Sequence, residues 1–144
     1  MRQGYLSLET HPEHPDQVRI IASERRPDPA NSREPGPHAP RVRCVVRFED
    51  LDAAAMHAHT ALRRRLVDID SHRYRIDPVA AVAALDSIGL RHERVHLDPA
   101  LASDPSLGTS IQRLTARRRR IEAFWNGMGI IALIWLLALV ALGF

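Results

Sequence analysis

The chain has 144 residues, of which 26% are charged, and it carries a net charge of +3 at pH 7. This length leaves room for one modest domain and one additional segment, so it excludes a large multidomain protein. The single cysteine excludes an internal disulfide and agrees with a reducing compartment. All 20 basic residues are arginines, a composition that suggests a bacterial genome rich in G and C.

Four stretches within residues 1–76 predict strands. Residues 5–8 and 18–21 are short extended runs separated by turn residues, which predicts a β-hairpin. Residues 26–40 contain five prolines, so we predict a loop there. Residues 41–48 alternate apolar and arginine side chains over most of their length, and residues 73–76 are a shorter run of the same kind.

Two helices are predicted from their starting signals. Asp50 is a suitable N-cap, and apolar residues at helical spacing within 51–65 indicate an amphipathic helix. Asp77 followed by Pro78 combines an N-cap with a proline at the first helical position. We expect this second helix to end at Gly89, because glycine commonly ends helices.

The remaining elements complete a prediction of fold class and domain boundaries. We expect an α/β (α+β) domain, with a small three-to-four-stranded mixed sheet and two flanking helices, over residues 1–97. Residues 98–109 are predicted to be a linker. Residues 110–144 are predicted to form one juxtamembrane and transmembrane helix, capped by Thr109 or Ser110.

The apolar C-terminal segment predicts a membrane span. Glu122 is the last charged residue, and Asn126 is the one polar side chain in residues 123–144. At 1.5 Å per residue the segment measures roughly 33 Å as a helix, close to the thickness of about 30 Å of a bilayer's hydrocarbon core. No apolar leader precedes the domain, so we expect a single-pass, tail-anchored protein.

Residues at the start of this span predict its orientation and its contacts with lipid. A cluster of four basic residues marks the cytoplasmic side of a span and can bind anionic lipid head groups. Trp125 is predicted to lie at the membrane interface. We therefore expect a cytoplasmic N-terminal domain held at the inner (cytoplasmic) membrane. The basic residues are Arg117, Arg118, Arg119 and Arg120.

Three residues of the span are candidates for docking against another helix. Ala123 and Gly127 form a small-xxx-small pair, which allows helix backbones to approach closely in lipid. Trp135 lies near mid-span, where an indole N–H favours a hydrogen-bonding partner. The alternative is that all three face lipid.

A H-E-x-x-H pattern occurs at His92, Glu93 and His96. On a helix this spacing can bind zinc, with the glutamate as general base. Here Arg94 lies inside the pattern, Pro99 follows it closely, and no third ligand is evident downstream. We therefore expect solvated or structural histidines and no metal site.

Taken in chain order, several short motifs resemble the GIY-YIG endonuclease superfamily over residues 4–88. His59 stands where the family's helix histidine would be, and Arg25 stands where the family has its arginine. The resemblance implies a small α/β domain. The matching stretches are Gly4-Tyr5-Leu6-Ser7, Val18-Arg19-Ile20-Ile21, Arg25-Arg26-Pro27, Pro35-Gly36-Pro37-His38-Ala39-Pro40 and Arg73-Tyr74-Arg75-Ile76.

The departures from this family imply that its reaction has been lost. Ser7 and Arg19 stand in place of the two tyrosines, and Ala55 in place of the metal-binding glutamate. Without that carboxylate, nothing evident holds the divalent cation that such cleavage requires. Arg25 and His59 are then vestiges, and no catalytic residue is expected.

These observations favour a non-catalytic accessory subunit of an integral membrane protein complex, without a cofactor. One alternative is a membrane-tethered nucleic-acid-binding protein or residual nuclease. Its candidate contacts are Arg25 and the two arginine runs, Arg63–Arg65 and Arg117–Arg120. The default interpretation of these runs is a solvated helix end and lipid binding, so nucleic acid is not the expected partner. A zinc peptidase built on His92, Glu93 and His96 ranks last.

Overall fold

The computed structural model describes residues 2–28 and 38–141, apart from the side chains of Arg118, Glu122 and Val140. It comprises two compact units, Met1–Ile111 and Gln112–Phe144. The first unit is an α+β domain built on one sheet. The second consists of the greater part of one long helix.

The sheet has six strands, and every pair of neighbours is antiparallel. The prediction of three to four strands in a mixed sheet was therefore wrong in number and in strand direction. The strands lie in the order β4-β5-β2-β1-β3-β6. Their bounds are β1 Gly4–His11, β2 His14–Ser23, β3 Arg41–Phe48, β4 Leu66–Asp68, β5 Arg73–Arg75 and β6 His92–Leu97.

Strands β4 and β6 are the two that the sequence pattern did not indicate. β4 is three residues long, too short to show an alternation of apolar and polar side chains. β6 has charged or histidine side chains at four of its six positions. Both lie at the edges of the sheet, where short and charged strands are common because they resist pairing with other chains.

The centre of the sheet matches the predicted strands closely. β1 and β2 form the predicted hairpin, in which Leu8 is paired with Ile20. β3 pairs with the other side of β1, and Cys44 lies opposite Leu8. Leu8 and Cys44 are fully buried, so Cys44 is the small core residue that its position on a strand predicts.

Two helices pack against the sheet. Helix α1, Leu51–Leu62, begins at Asp50, whose carboxylate accepts a hydrogen bond from the Ala53 N–H. Helix α2, Pro78–Asp86, begins at Asp77, which accepts two N–H bonds in its first turn. Both predicted N-caps are confirmed. α1 ends in the 3₁₀ turn Arg63–Arg65, and α2 ends at Asp86, before Gly89.

One apolar stripe of α1 holds it against β1 and α2. Its buried residues recur every three or four positions, as expected for a helix that presents one face to the core. The stripe consists of Leu51, Ala54, Ala58 and Leu62. α2 contacts β1, β2 and β3, and its apolar residues Val79, Val82, Ala83 and Leu85 are buried.

The segment predicted as a linker contains two helix starts. Helix α3 is Pro99–Ala102, and helix α4 is Pro105–Ala141. The prediction that Thr109 or Ser110 caps the last helix was therefore wrong. Asp98 caps α3, and Asp104 accepts hydrogen bonds from the N–H and hydroxyl of Ser106. Each proline follows an aspartate, as in the Asp-Pro start of α2.

Candidate functional site

Helix α4 is long and apolar enough to cross a membrane over Pro105–Leu139, and the apolar window within it is not buried against any described residue. Eleven large apolar side chains of the helix are between 47% and 68% exposed. Such a surface is unusual for a soluble unit, because large exposed apolar patches mark contacts with partners or lipid. The eleven exposed side chains are Ile121, Phe124, Trp125, Met128, Ile130, Ile131, Leu133, Ile134, Trp135, Leu136 and Leu137.

The predicted interface arginines lie immediately before this apolar stretch on the same helix, and Trp125 lies near its start. Arg117, Arg119 and Arg120 are exposed, and the side chain of Arg118 lies outside the described part of the structure. Trp125 is 66% exposed, and its ring lies 5.9 Å from that of Phe124 in an edge-to-face arrangement. Their contact with a membrane stays a prediction.

The predicted docking residues are accessible to a second helix. A β-carbon built on Gly127 meets no atom within 4 Å, and Trp135 is 68% exposed. Ala123 is also exposed. This accessibility is compatible with helix docking and with a lipid-facing surface, so the assignment stays a prediction.

The H-E-x-x-H residues form strand β6 and not a helix. His92 is paired with Phe48, and His96 with Val45. Paired residues share a face of the sheet, and positions 45 and 48 of β3 face opposite sides. His92 and His96 therefore lie on opposite faces, because a register shift in the β3–β6 pairing lies between them.

His92 has several partners within the domain. Its Nδ1 donates to the Leu90 carbonyl at 2.8 Å, and its ring lies 5.3 Å from that of Phe48. Its Nε2 is 3.6 Å from the carboxylate of Asp86, which also pairs with Arg94. Within the described ranges, no group of three or more His, Cys, Asp or Glu side chains is arranged to hold a metal ion.

The two vestigial candidates line different grooves. Arg25 is exposed just after β2 and lines a groove of about 340 Å³ together with Ser7 and Arg19. His59 lies on α1 and lines a second groove of about 480 Å³ together with Ala55 and Arg19. Arg19 thus contributes to both grooves, whereas Arg25 and His59 do not share one.

We name the second cavity the α1–β2 groove, since α1 and β2 contribute most of its walls. Twelve residues line it: Leu6, Arg19, Ile20, Ile21, Ala22, Ala55, Met56, Ala58, His59, Ser71, His72 and Tyr74. Seven are apolar, and the five polar residues come from β2, α1, β5 and the turn between β4 and β5. A mainly apolar cavity with a few polar groups in its lining is the usual form of a small-molecule site.

A hydrogen bond between His59 and Tyr74 connects α1 to β5 at this groove. The His59 Nδ1 and the Tyr74 hydroxyl oxygen are 3.1 Å apart. Burial raises the pKa of Tyr74, so its hydroxyl stays protonated at neutral pH. When this hydroxyl donates to Nδ1, the neutral imidazole carries its proton on Nε2, and this N–H is the one hydrogen-bond donor of the His59 side chain.

The turn between β4 and β5 is held against Arg19. The Arg19 Nε donates to the Ser71 carbonyl at 3.1 Å, and the Ile20 N–H donates to the His72 carbonyl at 3.2 Å. His72 has a φ of 51°, in the left-handed region that non-glycine residues seldom occupy. These bonds position Ser71 and His72 at the rim of the groove.

Sequence patterns did not single out Tyr74, Ser71 or His72 as parts of a site. Their contribution depends on non-local pairing of β5 with β2, which places Tyr74 opposite Val18. One signal was available for His59. Ala58 belongs to the buried stripe of α1, and His59 is the next residue around the helix. The helical spacing therefore places His59 at the boundary between the core and the solvent.

The GIY-YIG resemblance rests on short motifs, and the stretch 29–37 that carries most of its Pro-Gly-Pro turn lies outside the described residues. The resemblance therefore stays a hypothesis. No protein-family model, curated protein or solved structure matches this chain.

Proposed function

We propose that this chain is a non-catalytic accessory subunit of an integral membrane protein complex, anchored by helix α4. The observation that supports the proposal is the apolar part of α4, which the described residues leave without any intramolecular cover. Each Å² of this apolar surface that stays in water is unfavourable by about 25 cal/mol of free energy. Contact with lipid or with a partner helix removes this cost.

The arginine cluster supports a cytoplasmic position for the α+β domain at the inner membrane. The cluster directly precedes the apolar stretch, where basic residues are held on the cytoplasmic side. It would also bind anionic lipid head groups, since each basic residue near a negatively charged leaflet contributes about 1 kcal/mol.

The non-catalytic part of the proposal is supported by the residues that stand where the GIY-YIG family has its catalytic groups. Ser7 is buried, with its hydroxyl 3.5 Å from the Ile21 carbonyl. Ala55 has no acid–base group, and the Nε of Arg19 is engaged with the Ser71 carbonyl.

A membrane-tethered nucleic-acid-binding protein is the second candidate. The turn Arg63–Arg65 at the end of α1 is exposed, and consecutive exposed arginines can contact phosphates. Asp68 and Asp70 follow within seven residues and are exposed, which lowers the local positive potential. The accessory-subunit proposal therefore stands first.

Purification in a mild detergent, with a span-exchange variant, tests the proposal. In the variant, residues 123–144 are replaced by an unrelated apolar span of equal length, so that membrane insertion is retained. We expect the wild-type chain to co-purify with defined membrane proteins at fixed stoichiometry, and the variant to lose them. Recovery of the wild-type chain alone, or equal recovery of partners with the variant, would refute docking through the span.

A further inference from the structure

The α1–β2 groove has an unusual charge composition for a chain in which 17 residues are acidic. Its lining includes one arginine, two histidines, a serine and a tyrosine, and none of the described lining residues is Asp or Glu. All five polar residues carry a hydrogen-bond donor, of which the Ser71 hydroxyl donates to Asp68 and the Tyr74 hydroxyl contacts His59. Arg19 always carries a positive charge. A cavity with this lining favours an anionic group over a cationic one.

The backbone of β2 adds a further donor. β5 pairs with β2 at Gln17–Arg19, and the Ile20 N–H reaches the His72 carbonyl. N–H groups two residues apart on a strand point to the same side, so the Ala22 N–H is directed towards the groove. Among the described strands, β1 alone pairs with β2 after Ile20. No described strand pairs with the opposite edge of β2 there.

Arg19 is already held in position. Its Nε donates to the Ser71 carbonyl, and among the described residues its two terminal nitrogens have no hydrogen-bond partner that would compete with a ligand. Two such N–H donors match two oxygens of a phosphate or carboxylate. An arginine fixed by one hydrogen bond loses less conformational entropy when it binds a second group.

Two acidic residues have contacts or register positions beside Arg19 and Ser71, and neither lines the α1–β2 groove. Glu9 lies opposite Arg19 in the β1–β2 register and lines with it the groove of about 340 Å³, but Glu9 does not line the α1–β2 groove. Asp68 accepts hydrogen bonds from the Ser71 hydroxyl and the Asp70 N–H. These bonds lower the pKa of Asp68, and its charge is directed into the β4–β5 turn.

The rest of the groove sets the character of the ligand. Its other seven lining residues are apolar, and its volume of about 480 Å³ lies within the range of small-molecule sites. Ala55 and Met56 line it on the α1 side, and Ile20 and Ala22 on the β2 side. A ligand that fills it needs an apolar body as well as an anionic head.

We propose that the α1–β2 groove binds a small molecule with a phosphate or carboxylate head and an apolar body. The head lies at Arg19, His59 and the Ala22 N–H, and the body lies against Ala55 and Met56. The source of the head is either a soluble metabolite or an acidic lipid. The proposal depends on the groove alone and is independent of the accessory-subunit function.

Calorimetric titration of the full chain in phosphatidylcholine nanodiscs tests the proposal, with heats from empty nanodiscs subtracted. The probes are 1-naphthyl phosphate, 1-naphthol and inorganic phosphate. We expect 1-naphthyl phosphate to bind at least tenfold more tightly than either of the others, because it alone has both parts. Equal affinity for 1-naphthol, equal affinity for inorganic phosphate, or no binding of 1-naphthyl phosphate would overturn the proposal.

Three variants test whether 1-naphthyl phosphate binds in the α1–β2 groove. Arg19→Gln should weaken binding of 1-naphthyl phosphate roughly tenfold, since it removes a charge-assisted bond. Ala55→Leu, which fills the groove from a partly exposed position, should abolish binding. Arg75→Gln is the matched control, because Arg75 is an exposed arginine of β5 outside the lining. Wild-type affinity in both Arg19→Gln and Ala55→Leu would overturn the assignment.

The lipid composition of the nanodisc distinguishes the two sources of ligand. One outcome is that phosphatidylglycerol in the nanodisc blocks the binding of 1-naphthyl phosphate to the wild-type chain but not to Arg19→Gln. In that case the natural head group belongs to a lipid. If phosphatidylglycerol has no effect, the natural ligand is a soluble molecule. Both outcomes support the groove as an anion site.

Discussion

Gly4 lies directly against Leu51, at the point where β1 passes the first turn of α1. A β-carbon built on Gly4 would lie 2.5 Å from the Leu51 Cδ2 and 2.8 Å from the Ser23 carbonyl oxygen. The second contact is with the backbone, which cannot move aside as a side chain can. The helix and the hairpin can therefore approach this closely only when position 4 has no side chain.

We predict that Gly4→Ala destabilises the α+β domain by about 1–3 kcal/mol, the usual cost of overpacking a core. Buried Cys44 provides the measurement, because its thiol should react with a maleimide only after the domain unfolds in urea. The midpoint of labelling should shift to a lower urea concentration.

Gly108→Ala is the matched control for this change. Gly108 lies in α4, and a β-carbon there meets no atom within 4 Å. Alanine should therefore stabilise the helix by up to about 1 kcal/mol through its higher helix propensity. Equal effects of the two substitutions would show that the contact between Gly4 and Leu51 is not as close as described.

The environment of Cys44 predicts a loss of stability in alkaline solution. Burial raises the pKa of Cys44 to about 12, whereas a thiol in an unfolded chain has a pKa of about 8.5. The stabilising contribution is therefore complete below about pH 8.5 and is lost as the pH rises towards 12. Within this window each pH unit should lower the free energy of unfolding by up to about 1.4 kcal/mol for this one group.

Cys44→Ala separates this effect from that of other groups. The variant should show a shallower fall in stability between about pH 9 and 12, with the remaining slope from groups such as Tyr74, whose pKa burial also raises. Pulse proteolysis in urea at a series of pH values measures both slopes. Parallel curves for the wild type and the variant would contradict the assignment.

The ion pair between Arg43 and Asp98 should contribute more to stability than other pairs on the surface. The two side chains are 2.8 Å apart and about one-fifth exposed, and Asp98 also caps α3. Arg43→Ala should destabilise the domain by about 1–2 kcal/mol, because it leaves a largely buried carboxylate with one partner fewer.

Arg75→Ala is the comparison for Arg43→Ala. Arg75 and Asp16 are 3.5 Å apart and both more than 60% exposed, so solvent screens the pair and its loss should cost below about 1 kcal/mol. Urea denaturation of both variants gives the comparison. A larger effect at Arg75 than at Arg43 would show that burial does not determine the strength of these pairs.

Helix starts were predictable where a local signal decides them. Asp50 and Asp77 cap α1 and α2 because a carboxylate can accept the free N–H groups of a first turn without help from the rest of the fold. The same signal is present at Asp98 and Asp104. There the following prolines suggested a linker, although Leu101 and Leu107 are buried behind them.

Strand β6 and the α1–β2 groove depend on contacts between distant parts of the chain. β6 has little apolar patterning, and it is a strand because β3 offers it a hydrogen-bonding edge. The groove needs His59 from α1, Arg19 from β2 and Tyr74 from β5 together. No local spacing in the sequence connects these three, so only the three-dimensional structure reveals the site.

The docking prediction for the span can be tested by substitution on two sides of the helix. We expect Gly127→Leu and Trp135→Ala to weaken retention of partners during purification, because one adds bulk at a close contact and the other removes an indole. Leu133→Ala is the control. At 100° per residue, position 133 lies about 160° from Trp135 and about 120° from Gly127 around the helix. Unchanged retention in all three variants would indicate that the span only anchors the chain.

Cysteine accessibility on the two sides of the membrane tests the central claim most directly. In a Cys44→Ala background, single cysteines replace Ala61, which is exposed on α1, or Phe144. With a membrane-impermeant maleimide, the account predicts that Phe144→Cys is labelled in right-side-out spheroplasts and that Ala61→Cys is labelled only in inverted inner-membrane vesicles. Labelling of Ala61→Cys in intact spheroplasts, or recovery of the chain in the soluble fraction, would contradict the account.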